Sequence, residues 1–358
     1  MPAPPYRDHP ADPSAWAKEL GITREAVEVY LSSDVIDLHI DSFIWHRLFG
    51  YALTRRHGRG LFNGRFFSQV DFPRILEARI TGATWAITTN PVRTAEGRAV
   101  ALQENLRSLC SLLEHADGFQ VVRSAAEYRQ ARSRGLHGAF IGVQGASAFG
   151  DDLSLFDRLE PGLMIRVTLL HLYRSRLGTS SAPPHFNEDS GLSELGHGFV
   201  SRLNERHIFV DLAHISKNGF WDAVRAHDPS QPLLVSHTGV SGVWPHWRNL
   251  DDRQLYAIAD TGGTVGIMYH VPFLTPSYGA SGLEAVLLHM QHVVNTVGDE
   301  HVSLGSDWDG MIITPRDMPT CLELPRLVQG MLERKWSAER IKKILGGNFL
   351  RALSDLRG

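Results

Sequence analysis

Apolar residues along this chain come in short runs that turn polar at their C-terminal ends, and between the runs they recur at three- and four-residue intervals. The first such run is Val35-Ile36-Asp37-Leu38-His39-Ile40-Asp41, whose alternation sends His39 and Asp41 to one side of a strand. Further strands are predicted over residues 82–88, 138–143, 163–169, 208–212, 232–236, 264–268 and 301–305, which makes eight in all. Helices are predicted over residues 13–31, with Asp12 as N-cap and Pro13 at the first helical position. Others follow over 71–78, 95–116, 125–134, 153–159, 191–206, 218–227, 251–261, 281–297 and most of 319–357. Residues 45–64 mix arginines, aromatics and glycines without periodicity, which predicts a long loop over the end of the first strand.

Apolar strands interleaved with helices, with polar residues gathering just past the strands, are the pattern of a (β/α)8 TIM barrel. Catalytic residues of that fold sit at the C-terminal ends of its strands. A doubly wound open sheet alternates in the same way, and periodicity alone leaves both open. No Gly-x-Gly-x-x-Gly follows the first strand, which lowers the dinucleotide-binding alternative. With no internal repeat and no low-complexity linker, the expected division is an N-terminal extension with a helix over residues 1–33 and a single barrel over 34–358.

Candidate chemistry lies at the strand ends. Ile208-Phe-Val-Asp211-Leu-Ala-His214 puts a histidine just past the fifth predicted strand, and Leu233-Leu-Val-Ser236-His237 does the same for the sixth. Adjacent barrel strands end side by side, so His214 and His237 can share one metal ion through neutral imidazole nitrogens. Either histidine alone is more often a polar strand cap than a ligand. Their occurrence on consecutive strands, with His39-x-Asp41 on the first, favours the metal reading. The eighth strand runs into Gly305-Ser-Asp307-Trp-Asp309-Gly310. Asp307 faces the same mouth and is suited to take a proton from a metal-activated water and pass it to a leaving amine, whereas Asp309 before Gly310 reads as a turn former.

Composition narrows the partner. The 358 residues are 43% hydrophobic and 21% charged, enough to bury a large core. A net charge of −3 offers no basic field for nucleic acid or an anionic membrane, so the expected partner is a small molecule. Two cysteines, Cys110 and Cys321, form no Cys-x-x-Cys pair, and the proline-rich start lacks the pattern of a secretory signal. No run of about 18 apolar residues is present to span a bilayer. A cytoplasmic protein is the expectation.

The ordered set His39-x-Asp41, Gly191-Leu-Ser193, Asp211-Leu-Ala-His214, Ser236-His237, Trp247-Arg248-Asn249-Leu250, Gly262-Gly263, Gly305-Ser-Asp307-Trp-Asp309-Gly310 and Gly346-Gly-Asn348-Phe-Leu-Arg351 resembles the membrane (renal) dipeptidase family of zinc metallopeptidases, which are amidohydrolase-like barrels. The resemblance implies a zinc-dependent dipeptidase, with two zinc ions at the barrel mouth bridged by a glutamate and with a homodimer as the possible assembly. Carried over by position, the metal ligands would be His39, Asp41, His214 and His237, and Asp307 the proton shuttle. His171 would polarise the scissile carbonyl, and Arg248 would bind the substrate carboxylate with its planar fork of donors.

The chain departs from the family at the bridge, where Gln144 stands in Phe140-Ile-Gly-Val-Gln144-Gly-Ala. An amide offers one neutral oxygen and an NH2 that binds no metal, so Gln144 is a poor bridge. Two divalent ions balance Asp41, Asp307, a hydroxide and a glutamate; without the glutamate one positive charge is left over, which weakens the second ion. The expectation is therefore a reduced or mononuclear site. After His171 the run Leu172-Tyr173-Arg174-Ser175-Arg176 replaces the family's usual turn, and it makes Tyr173 and Arg174 candidate substrate contacts. Two alternatives stay open: an impaired barrel that binds an amino-acid-like ligand, and a related amidohydrolase acting on a lactam, lactone or N-acyl amino acid.

Overall fold

In the computed structural model, which describes residues 12–58, 61–88, 92–183, 189–276 and 282–358, the His39 strand β1 (Ile36–Ile40) is buried at all five positions. A parallel strand covered on both faces must be. The other strands are β2 (Gly82–Thr88), β3 (Phe119–Val121), β4 (His137–Gln144), β5 (Met164–Thr168), β6 (Phe209–Asp211), β7 (Leu234–Thr238), β8 (Thr264–Ile267) and β9 (Val302–Leu304). Every pairing is parallel. The order β2-β1-β9-β8-β7-β6-β5-β4 closes through β2 on β4, from Gly82↔Gly138 to Thr88↔Gln144, and gives the (β/α)8 barrel.

β3 is additional to the eight expected strands. It pairs only with the start of β4, from Phe119↔His137 to Val121↔Ala139, and stands outside the ring. Three residues a short turn after a 20-residue helix (Ala95–Glu114) carry too little alternation to announce a strand. The predicted helix over residues 13–31 is two helices, Pro13–Leu20 and Arg24–Leu31. Gly21 breaks them in the left-handed region at φ 67°, and Thr23 caps the second. Both pack on the barrel: Trp16 and Tyr30 are buried, and the Tyr30 hydroxyl donates to the Ala78 carbonyl at 2.7 Å. Residues 1–11 lie outside the described residues.

The predicted loop over residues 45–64 is in part helical, with Ser42–Phe49 an α-helix and Leu61–Gly64 one 3-10 turn. Asp41 occupies the N-cap position of that helix but makes no capping hydrogen bond, because its carboxylate is engaged in the barrel mouth. The start signal is present as a residue type, but the capping bond it normally makes is not formed.

At the N-terminal end of the ring, Phe349 of the last helix (Asn348–Arg357) packs on Phe140 and Phe209, with ring centroids 5.3 and 6.1 Å apart. Ile36, Leu38, Ile165 and Leu234 complete this apolar floor. Truncating such a phenylalanine to alanine typically costs about 3–5 kcal/mol. A closed floor leaves the C-terminal mouth as the polar end.

Candidate active site

The mouth is built at the strand ends. His39 lies on β1, whose register on β2 is irregular between Asp37 and Ile40, and Asp41 follows just past the strand. The Asp41 amide donates to the Trp308 carbonyl at 2.9 Å, and its Oδ1 accepts from the Thr88 hydroxyl at 3.0 Å. His39 Nε2 lies 3.5 Å from Asp41 Oδ2 and 3.6 Å from Asp307 Oδ1, wholly buried and with no hydrogen-bond partner. From β6 and β7, the Nε2 atoms of His214 and His237 approach to 2.8 Å. His39, His237 and Asp307 each offer a ligand atom, all within 4.8 Å of one another. His214 and Asp307 both sit at φ 63°, a left-handed conformation that costs non-glycine residues energy and gathers at functional sites.

Gln144 ends β4, and its Nε2 lies 2.7 Å from His171 Nε2, while its Oε1 is buried without a partner. Gln144 and His171 form one wall of a cavity of about 690 Å³, and Tyr173 and Arg174 stand exposed on its rim. Arg248 is buried beside the histidines: its Nη2 donates to the His237 carbonyl at 2.7 Å, and its Nε has no partner. Asp309 faces elsewhere. It accepts from the Ser42 hydroxyl at 2.5 Å and from the Gln69 backbone amide at 2.9 Å, tying its turn to the start of the Ser42–Phe49 helix and to the loop before Asp71.

Burial decides most of the proton affinities in the ion-free protein. Burial, and then Arg248, holds His214 well below the ordinary imidazole range, and burial followed by the His39 charge does the same for His237. Burial also takes His171 down to about 4. These rings are neutral near pH 7, the form that coordinates metals. Burial and the nearby Asp41 charge push Asp307 well above the carboxylate range, although Arg248 opposes them. Burial alone would raise Asp41, but His39, His171 and Thr88 together hold it below its usual value.

One residue of the site was not anticipated. Arg166 on β5 is wholly buried in the barrel, where its Nη1 donates to Asp211 Oδ2 at 2.9 Å and to Thr168 Oγ1 at 3.0 Å. Its Nη2 lies 2.5 Å from His39 Nδ1. A lone arginine inside the apolar run Met164-Ile-Arg-Val-Thr was the available signal.

Residues 23–357 match the family described as membrane dipeptidase, peptidase family M19. The chain belongs to this family. Among its relatives, dipeptidase aclJ of Aspergillus oryzae is 27% identical over 351 residues, covering 94% of this chain and 81% of that one. The crystal structure of dipeptidase AC, a metallo peptidase of family M19, superposes with a TM-score of 0.80 at 27% identity, over 90% of this chain and 98% of that one. A metallo peptidase from Rhodobacter sphaeroides, liganded with a phosphinate mimic of the dipeptide L-Ala-D-Ala, does so with a TM-score of 0.78 at 27% identity and the same coverage.

The M19 chain is thus a peptide hydrolase of a metallopeptidase family on a (β/α)8 barrel. Its mouth fits a metal ion: neutral imidazoles and carboxylates converge there, and the buried His39 Nε2 has no protein partner. No helix among the described residues is long and apolar enough to cross a membrane.

Proposed function

We propose that this M19 chain is a zinc-dependent dipeptidase that hydrolyses the amide bond of short peptides. The observation that carries this reading is the convergence of His39, His237 and Asp307, with His214 against His237, in one buried pocket beside Arg248. His39, Asp41, His214 and His237 would hold the metal. When bound, zinc supplies Lewis acidity that lowers the pKa of water to about 7 and polarises a carbonyl. Gln144 stands where a bridging carboxylate would be needed for two ions, so the site is read as reduced or mononuclear.

The chain's own residues supply the rest. Arg248, buried and with Nε unengaged, anchors the substrate's free carboxylate, which restricts substrates to short ones. His171 is neutral and accepts at Nε2 from the Gln144 amide, so its Nδ1–H is left to donate to the carbonyl oxygen as negative charge develops. Asp307 carries the proton from water to the leaving amine on its carboxylate. Tyr173 and Arg174 line the side chain's exit toward solvent. Free Cys110 and Cys321 suit a reducing compartment, and the proposal includes the cytoplasm and a homodimer; a light-scattering mass at the monomer value would remove the dimer.

The test is a panel of dipeptides, N-acyl amino acids, lactams and lactones offered to the zinc-supplied protein. Turnover of dipeptides, abolished by His237→Ala, is expected. Turnover of the other substrates alone would move the assignment to a related amidohydrolase, and no turnover at all would overturn it.

A further inference from the structure

Two guanidiniums are held on opposite sides of the mouth. Arg248 donates from Nη2 to the carbonyl of His237 on β7, and Arg47 donates from Nη2 to the carbonyl of Thr88, the last residue of β2, at 2.6 Å. Counted around the closed ring, β2 stands four places from β7, which is directly across in a barrel of eight. The cluster of His237, Asp307 and His39 occupies the arc between them, on β7, just past β9 and on β1. A dipeptide with its carboxylate on Arg248 and its carbonyl at that cluster therefore directs its first residue toward Arg47.

At the β2 side a second cavity, of about 470 Å³, opens beside His171 and Tyr173, which it shares with the larger one. Arg47, Arg93 and Asn105 line it, with Glu104 exposed on the same wall. Neither arginine has a carboxylate within ion-pair distance among the described residues. In the larger cavity, by contrast, Arg98 is paired with Asp151 at 3.1 Å. Arg47 is half-buried and its Nε has no partner. Burial and then the Arg93 charge hold its pKa below the ordinary value, and the carboxylate that opposes them is Asp41, which the metal reading assigns to the ion. Asn105 is only 7% exposed, and its Nδ2 is also without a partner. Uncompensated positive charge and idle donors in one recess suit a carboxylate, which a guanidinium binds with charge-assisted hydrogen bonds.

We propose that this cavity receives the side chain of the substrate's first residue, and that Arg47, Arg93 and Asn105 select a carboxylate there, so that dipeptides beginning with Asp or Glu are preferred. The inference rests on the dipeptidase reading and on Arg248 as the anchor of the substrate's C-terminal carboxylate.

The experiment compares kcat/KM for Glu-Ala, Gln-Ala and Lys-Ala in the zinc-supplied protein. Glu and Gln have the same shape and differ in charge. Glu-Ala is expected to exceed Gln-Ala by roughly tenfold or more, with Lys-Ala the poorest. In Arg47→Gln with Arg93→Gln the Glu-Ala to Gln-Ala ratio should fall to about one, and because the ratio is taken within one protein a general loss of activity cancels. If that double variant fails to fold, Arg93→Glu, a change at an exposed position, should lower the ratio severalfold and raise Lys-Ala relative to Gln-Ala. Equal rates for Glu-Ala and Gln-Ala in the unaltered protein, or a preference that survives the substitutions, would overturn the inference while leaving the dipeptidase reading in place. If no dipeptide is turned over, that reading fails, and calorimetric titration of Glu-Ala and Gln-Ala decides: binding of Glu-Ala tighter by roughly tenfold keeps the pocket, and equal or absent binding removes it.

Discussion

A Cβ on Gly310 would fall 2.2 Å from Asp307 Oδ1, so the glycine sets where that carboxylate can lie. The Gly310 amide closes the turn on the Asp307 carbonyl at 2.9 Å, and Asp307 keeps φ at 63° within it. Gly310→Ala forces the Asp307 carboxylate to move and crowds the Asp307 carbonyl at 3.0 Å, so it misplaces a reacting group and also costs some stability. The expected outcome is a loss of roughly a hundredfold in kcat in protein that still folds. Matched kinetics and thermal melts check it; an unchanged kcat would remove Asp307 from the chemistry.

Arg248 has its Nη2 tied to the His237 carbonyl and its Nε unengaged in a buried setting. Hydrogen bonds to charged groups are worth about 1.5–3 kcal/mol. Arg248→Met is therefore expected to raise KM for free dipeptides by roughly ten- to a hundredfold. Peptides amidated at the C-terminus should be poor substrates of both proteins. Equal losses on the free and amidated peptides would argue that Arg248 only supports the His237 backbone.

His39, Asp41, His214, His237 and Asp307 were legible because each ends or follows a strand, where one polar residue interrupts an apolar pattern. The barrel was legible from the same alternation. Arg166 was not, because its meaning lies in partners far along the chain: His39 is 127 residues away and Asp211 is 45. Local periodicity assigns such a residue to a strand and says nothing of the lumen it enters. The Ser42–Phe49 helix was missed because Asp41, the residue at its N-cap, reads from the sequence as part of the mouth, where its carboxylate does accept from Thr88 rather than cap the helix. Gly21 broke the N-terminal helix without any change in hydrophobic period.

A buried histidine outside the mouth sets an acid limit on stability. His289 accepts the Val240 amide on Nδ1 at 2.8 Å and donates from Nε2 to the Leu274 carbonyl at 3.0 Å, so it is neutral in the fold. Burial takes its pKa to about 4, with the Leu274 hydrogen bond opposing. The unfolded chain, near 6.5, takes up the proton first, so stability is complete above about pH 6.5 and is lost as pH falls toward 4. The loss attributable to this residue is about 3 kcal/mol at most. Urea midpoints of the native protein should fall between pH 6.5 and 4.5, and His289→Gln should flatten the slope while lowering the midpoint at pH 7. A slope untouched by the substitution would place the acid sensitivity elsewhere.

Metal removal should be visible in stability even without a substrate. In the ion-free protein the Nε2 atoms of His214 and His237, 2.8 Å apart, are close enough to share a proton. An ion bound only by the folded chain adds about 2.7 kcal/mol when free metal is a hundred times its Kd. Zinc is therefore expected to raise the melting temperature of the native protein, and a chelator to reverse the gain. His237→Ala should melt at one temperature with or without zinc, because it removes the residue common to the His39–His237–Asp307 cluster and to the His214–His237 pair. Gln144→Ala should keep the zinc response, since its amide contributes no anionic oxygen to the ion. Loss of the response in Gln144→Ala as well would show that the amide oxygen, buried without a protein partner, is itself a ligand.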